Sequence, residues 1–141
     1  MDNHPANTVA IGPYAMRVVP NTHMADCLVQ NGLNYEAHVV KWLRERLRPG
    51  QVFLDVGACW GFYALVANHL TGGDITTISI EPNLNNFHIL THNLVTNRLK
   101  RAVALSVGVA AGRTLLTYPG GWENVSGQTV VGGGDAFLVG V

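Results

Sequence analysis

The chain has 141 residues, nine basic and nine acidic side chains, a formal net charge of zero, and 48% hydrophobic residues. That length fits one domain of ordinary size, and that apolar fraction supports a packed core and excludes wholesale disorder. The charge balance supplies no basic field for nucleic acid or an anionic membrane, so neither partner is expected. No apolar run is long enough to span a bilayer, and residues 1–5 have neither the charged nor the apolar part of a signal peptide. The expected setting is cytoplasmic, with Cys27 and Cys59 as free thiols.

Residues 1–33 hold short apolar stretches broken by Pro5, Gly12, Pro13, Pro20 and Gly32. Within them, Tyr14-Ala15-Met16-Arg17-Val18-Val19 predicts a short strand, and the stop at Pro20 suits an edge or a hairpin arm. From Asn34 the period turns helical, with Tyr35, Val39, Trp42, Leu43 and Leu47 as its apolar stripe. Asn34 is the expected cap, Glu36 suits the first turn, Arg46 and Arg48 suit the last, and Pro49-Gly50 ends the helix.

Val52-Phe53-Leu54-Asp55-Val56 then predicts a strand buried on both faces. Gly57-Ala58-Cys59-Trp60-Gly61 follows, and a helix marked by Phe62, Leu65, Val66, His69 and Leu70 begins at once. Gly72-Gly73 closes it. The pattern then gives a second strand over 75–80, the turn Glu81-Pro82-Asn83, and a helix marked by Leu84, Phe87, Leu90, Leu94 and Val95. A third strand is expected over 102–109 and a fourth over 113–118. Strands alternating with helices predict an α/β, Rossmann-like fold: a three-layer αβα arrangement around a parallel sheet.

The tail is different, with seven glycines among residues 120–141 and no helical period. Short strands are expected at Thr129-Val130-Val131 and Phe137-Leu138-Val139. The organisation read from the chain is therefore 1–33 as an N-terminal extension, 34–118 as the α/β core, and 119–141 as a Gly-rich tail.

The chemistry sits in two places. In the 55–61 turn, Gly57 and Gly61 let the backbone turn tightly and let a ligand approach closely, and the helix after it points unpaired N–H groups into the same crevice. Asp55 sets a carboxylate where the strand ends, which suits a cationic ligand such as S-adenosyl-L-methionine and would repel a pyrophosphate. Glu81 closes the next strand 24 residues after Gly57, where an acid can accept both ribose hydroxyls. The rival dinucleotide reading, an NAD-dependent oxidoreductase, needs Gly-x-Gly-x-x-Gly, and this chain has Gly57-x-x-x-Gly61. The bland alternative is an ordinary α/β protein with a tight turn and a surface glutamate.

From Tyr35-Glu36 through Phe53-Leu54-Asp55-Val56-Gly57-Ala58-Cys59-Trp60-Gly61-Phe62-Tyr63 to Glu81-Pro82-Asn83, the chain resembles the FkbM-type family of class I S-adenosylmethionine-dependent methyltransferases. Phe87, Leu90, Asn93, Asn97, Val107-Gly108-Val109 and Ala111-Gly112 extend the likeness. The resemblance implies methyl transfer from S-adenosyl-L-methionine to a hydroxyl of a sugar or other small molecule. It also implies cofactor contacts from Glu36, Asp55, Gly57, Ala58, Cys59, Gly61, Glu81, Pro82, Asn83 and Val107; no catalytic base is assigned. Two features depart from the family pattern. Cys59 stands where the family usually has Asn, and the family's continuation beyond the third strand is not found before Val141. A truncated fold with a bare edge on its first strand, and an inactive nucleoside-binding fragment, are the corresponding expectations.

Several residues carry two readings. His88 and His92 have metal-ligand spacing on one helix, yet they fall off the apolar stripe and read as a solvated face. Cys59 is either a thiol activated at a helix N-terminus or a small space-filler. Trp60, Phe62 and Tyr63 can stack on adenine or pack in the core. Glu36 caps its helix or reaches the cofactor's amino group. Residues 122–127 are a substrate-facing loop or a Gly-rich surface turn.

Overall fold

The computed structural model describes residues 7–109, 115–116 and 130–131. The chain opens with an antiparallel hairpin of Thr8–Ile11 (β1) and Tyr14–Arg17 (β2), Ile11 facing Tyr14 across the turn. Helix α1, His23–Asn31, follows; Thr22 caps it by accepting from the Ala25 N–H, and Gly32 ends it. The sequence reading placed no helix here. A single 3-10 turn, Gly32–Asn34, leads to α2, Ala37–Arg46. Asn34 therefore lies in that turn rather than capping α2; the cap position belongs to Glu36, in the left-handed region at φ 49° with no capping bond from its side chain. Val40 and Leu43 are the buried face of α2, while Trp42 is 51% exposed with the Arg46 guanidinium over its ring.

The expected α/β unit follows: Val52–Val56 (β3), Phe62–Leu70 (α3), Thr76–Ile80 (β4), Leu84–Thr96 (α4) and Ala102–Leu105 (β5). The strands form a parallel sheet in the order β3-β4-β5. Register puts Asp55 beside Ser79 and Ser79 beside Ala104, with Phe53, Thr77 and Ala102 in the row below. Those rows face the helices: Phe53 packs against the cluster holding Phe62, Leu65 and Val66, and Ala102 and Ala104 pack against Ala64, Leu90 and Leu94. On the other face Ile80 is buried, but Val52, Leu54 and Val56 are 65%, 52% and 56% exposed. The expectation that β3 is buried on both faces is thus corrected. Its residues alternate, as they do in any strand with one covered side. Among the described residues β3 also pairs on one side only.

The α4 stripe is rotated from the one expected. Leu84 and Val95 are exposed, whereas Asn86 and Asn93 are buried with Ile89, Leu90 and Leu94. Asn86 accepts the Trp60 indole N–H, and Asn93 is buried because it pairs with the backbone of β2 as a strand edge would. The Asn93 amide accepts from Arg17 N–H at 2.7 Å and donates to Arg17 C=O and Trp60 C=O at 2.9 and 2.8 Å. Asn97 makes the same two-way pair with Ala15. Each bond satisfies a backbone group whose loss would cost about 1–3 kcal/mol where buried. Together they dock the hairpin onto α4 and tie it to the glycine turn. The core is continuous across this junction: Val9, Ile11, Met16 and Leu28 share one cluster with Trp60 and Phe62.

The third strand ends at Leu105, four residues before the expected limit. Leu115–Leu116 (β6) pairs antiparallel with Val130–Val131 (β7) in a separate two-stranded sheet. The rest of the 113–118 strand, the 122–127 loop and the strand at Phe137-Leu138-Val139 lie outside the described residues. Among the described residues no helix is long and apolar enough to cross a membrane.

Candidate functional site

In an open parallel sheet the crevice for a ligand lies beyond the carboxyl ends of the strands. Here that rim is formed by the turn after β3, the turn after β4 and the segment after β5. Both N–H groups of Gly57 and Ala58 donate to Ile80 C=O, at 2.8 and 2.9 Å, which locks the turn onto the end of β4. Gly61 N–H donates back to Ala58 C=O at 2.7 Å and closes the turn before α3 begins. Gly57 has φ 79°, with nothing within 4 Å of where a Cβ would be. Gly61 has φ 90°, and a Cβ there would sit 2.8 Å from Leu90 Cδ1. One glycine is required by conformation alone, the other by conformation and close packing.

Cys59 sits between them at φ 50°, a region that Asn tolerates better than most residues. It is 8% exposed, and its thiol lies 3.6 Å from Met24 Sδ of α1. Burial, followed by the charge of Glu81, holds the thiol well above the usual range, so it is not an activated nucleophile. The space-filling reading of Cys59 holds.

Glu81 is 1% exposed. One carboxylate oxygen accepts Cys59 N–H at 2.9 Å and the other accepts Asn83 N–H at 2.8 Å. Its own N–H donates to Leu105 C=O at 3.0 Å. The acid thus clamps the two loops of the crevice together. Pro82 is half-buried beside it, and Asn83 caps α4 by accepting from the N–H groups of Asn85 and Asn86. Val107, half-buried, follows β5 on the same rim instead of lying in the strand.

Asp55 is 7% exposed, and its Oδ2 has no hydrogen-bond partner among the described residues. Burial, with the Glu81 charge second, pushes its pKa up to about 6. The neighbouring Ser79 and Thr77 hydroxyls on the same face also lack partners. Two carboxylates therefore share one crevice, and such a site favours a cationic group and hydroxyls over a polyphosphate.

The aromatic residues divide. Trp60 is fully buried, its indole N–H donating to Asn86 Oδ1 at 3.0 Å, so it is core and cannot stack on a ligand. Phe62 is buried edge-on to Tyr35 and Tyr63. Tyr63 is half-buried; its hydroxyl donates to the Glu36 carboxylate, and burial followed by that bond raises its pKa. Glu36 is exposed and joined to α3 through Tyr63. Ala58 packs its methyl against Ala64, Leu90 and Leu94. His88 and His92 are exposed, and no group of three metal-binding side chains exists among the described residues. Sequence reasoning missed Asn86 as a brace for Trp60 and Asn93 as a brace for the turn. The only available signal was amide side chains recurring at helical spacing, which ordinarily marks a solvated face.

Two curated relatives match part of the chain. Ribosomal protein L11 methyltransferase from Cupriavidus necator is 35% identical over 71 residues, covering 50% of this chain and 23% of that protein. The Cupriavidus taiwanensis protein of the same name is 34% identical over 71 residues, with the same coverage. The chain thus spans about a quarter of the length of these relatives. Among solved structures, a candidate rRNA methylase from Clostridium thermocellum superposes with a TM-score of 0.51 at 14% identity, covering 67% of this chain and 56% of that one. This likeness establishes the Rossmann-like fold. No protein-family model matches the chain.

Proposed function

We propose that this chain carries the cofactor-binding part of an S-adenosyl-L-methionine-dependent methyltransferase. The observation that carries the reading is the pairing of two buried carboxylates, Asp55 and Glu81, on a glycine turn at the ends of adjacent parallel strands. The partial identity to L11 methyltransferases supports it. A dinucleotide reading fits poorly, because a pyrophosphate would lie against Asp55 and find the Cys59 N–H already taken by Glu81.

The residues present fit the cationic end of the cofactor. Asp55 Oδ2 is an acceptor without a donor, and the space beside Gly57 is open. At the ribose end, Glu81 has to share or exchange its backbone donors to accept hydroxyls. When bound, S-adenosyl-L-methionine supplies a methyl group on a sulfonium, and transfer needs the acceptor held in line with it. The chain's own contribution is to bind and orient: Asp55 and Glu36 toward the amino group, Glu81 toward the ribose, Pro82, Asn83 and Val107 along the rim. No residue is assigned as a base.

The FkbM-type resemblance makes a sugar or small-molecule hydroxyl the proposed acceptor in a cytoplasmic setting, without nucleic acid. A protein acceptor is the second reading, favoured by the name and partial identity of the L11 relatives. Isothermal titration with S-adenosyl-L-methionine, S-adenosyl-L-homocysteine and NAD tests the cofactor. Preference for the first two is expected, and tighter binding of NAD would overturn the assignment.

A further inference from the structure

We propose that uptake of the cofactor drives a proton off Asp55, so that affinity is high near neutral pH and falls as the solution is acidified. This rests on the cofactor reading above.

The geometry supplies the reason. Asp55 stands near the end of β3 with one carboxylate oxygen, Oδ2, buried and unbonded among the described residues. The titratable groups that act on it or feel it are Glu81 beyond β4, Cys59 in the turn and Tyr63 on α3, with Glu36 of the α2 cap behind Tyr63. Every one of them is an acid. On β4, its neighbour Ser79 is neutral. Among the described residues an ionised Asp55 is therefore a buried charge without a counter-charge, and the protein relieves it by keeping the proton. Burial, then Glu81, hold the group near pH 6, well above an ordinary aspartate.

A ligand ammonium changes this balance by supplying the missing positive charge. The Asp55 O–H bond breaks, the proton passes to the solvent, and an ammonium–carboxylate pair remains. Proton and ligand then compete for one oxygen, and affinity falls about tenfold for each pH unit below the group's midpoint. The ligand is not the source of the slope, because its α-carboxyl group titrates well below pH 5 and its α-amino group well above pH 7.

The test is calorimetric titration of the chain with S-adenosyl-L-homocysteine at pH 7, 6 and 5, repeated with Asp55→Asn. At pH 5.5 it is run in two buffers of different ionisation enthalpy. The unaltered chain should lose about tenfold in affinity from pH 7 to pH 5 and release most of a proton on binding at pH 5.5. Asp55→Asn should bind more weakly, with a flat profile and no proton release. A flat profile in the unaltered chain, an equal slope in the variant, or heats independent of buffer would overturn the coupling. If the variant does not bind measurably, the buffer comparison on the unaltered chain decides alone. Absence of binding at pH 7 refutes the cofactor reading itself, a different result from pH-independent binding.

Discussion

Glu81→Gln separates a clamp from a surface acid. The carboxylate accepts two backbone N–H groups, from Cys59 and Asn83, while being 1% exposed. Glutamine keeps one oxygen, so one of these bonds survives without its charge and weakens by about 1 kcal/mol. At the other position an NH₂ group meets a backbone N–H. That bond is lost and a buried donor is stranded, costing about 1–3 kcal/mol. Relief of the repulsion between Glu81 and Asp55 offsets part of the loss at pH 7, since Glu81 is the second cause of the raised Asp55 pKa. The expected net destabilisation is about 2–3 kcal/mol. For a chain of this size it lowers the melting midpoint by roughly 8–12 °C at about 4 °C per kcal/mol. Thermal unfolding followed by circular dichroism, without ligand, is the assay. A midpoint within a degree or two of the unaltered chain would show that the carboxylate does not hold the turn, and the clamp would have to be abandoned.

Two further perturbations follow from the same site. Asp55 titrates near pH 6 when folded and near 3.8 when free, so the folded state holds its proton more tightly and loses stability as pH rises through that window. Asp55→Asn should therefore raise stability at pH 7 by up to about 3 kcal/mol and change little at pH 4; denaturant melts at the two pH values check this, and an equal effect at both would remove the buried charge as the cause. Gly61→Ala should cost more than Gly57→Ala, because both meet an unfavourable positive φ worth about 1–2 kcal/mol but only Gly61 also meets Leu90. Equal losses in the two variants would mean that α4 yields without cost.

The α/β order, the glycine turn and the positions of Asp55, Glu81 and Asn83 were legible because each leaves a local mark: an apolar run, a glycine pair, an acid at a strand end. Helix α1 also left marks, Thr22 at its start and Gly32 at its end, but only Ala25 and Leu28 are buried, too few to establish a period. The two-faced burial of β3 was misjudged for a different reason. Val52, Leu54 and Val56 form an apolar face that the strand is able to bury, and only tertiary neighbours decide whether it is covered. The same limit hid the bracing roles of Asn93 on α4 and Asn97 just after it, whose partners lie 76 and 82 residues away on β2.

Cys59 shows how sequence and structure combine to a result neither yields alone. The residue type marked it as a departure from an asparagine pattern. The structure shows what the position demands: a left-handed backbone, a small side chain beside Met24, and an N–H aimed at Glu81. The bond to the acid comes from the backbone, so it survives the change from amide to thiol. What the substitution gives up is the conformational preference of asparagine for that backbone, and the Glu81 clamp is what holds a cysteine there instead.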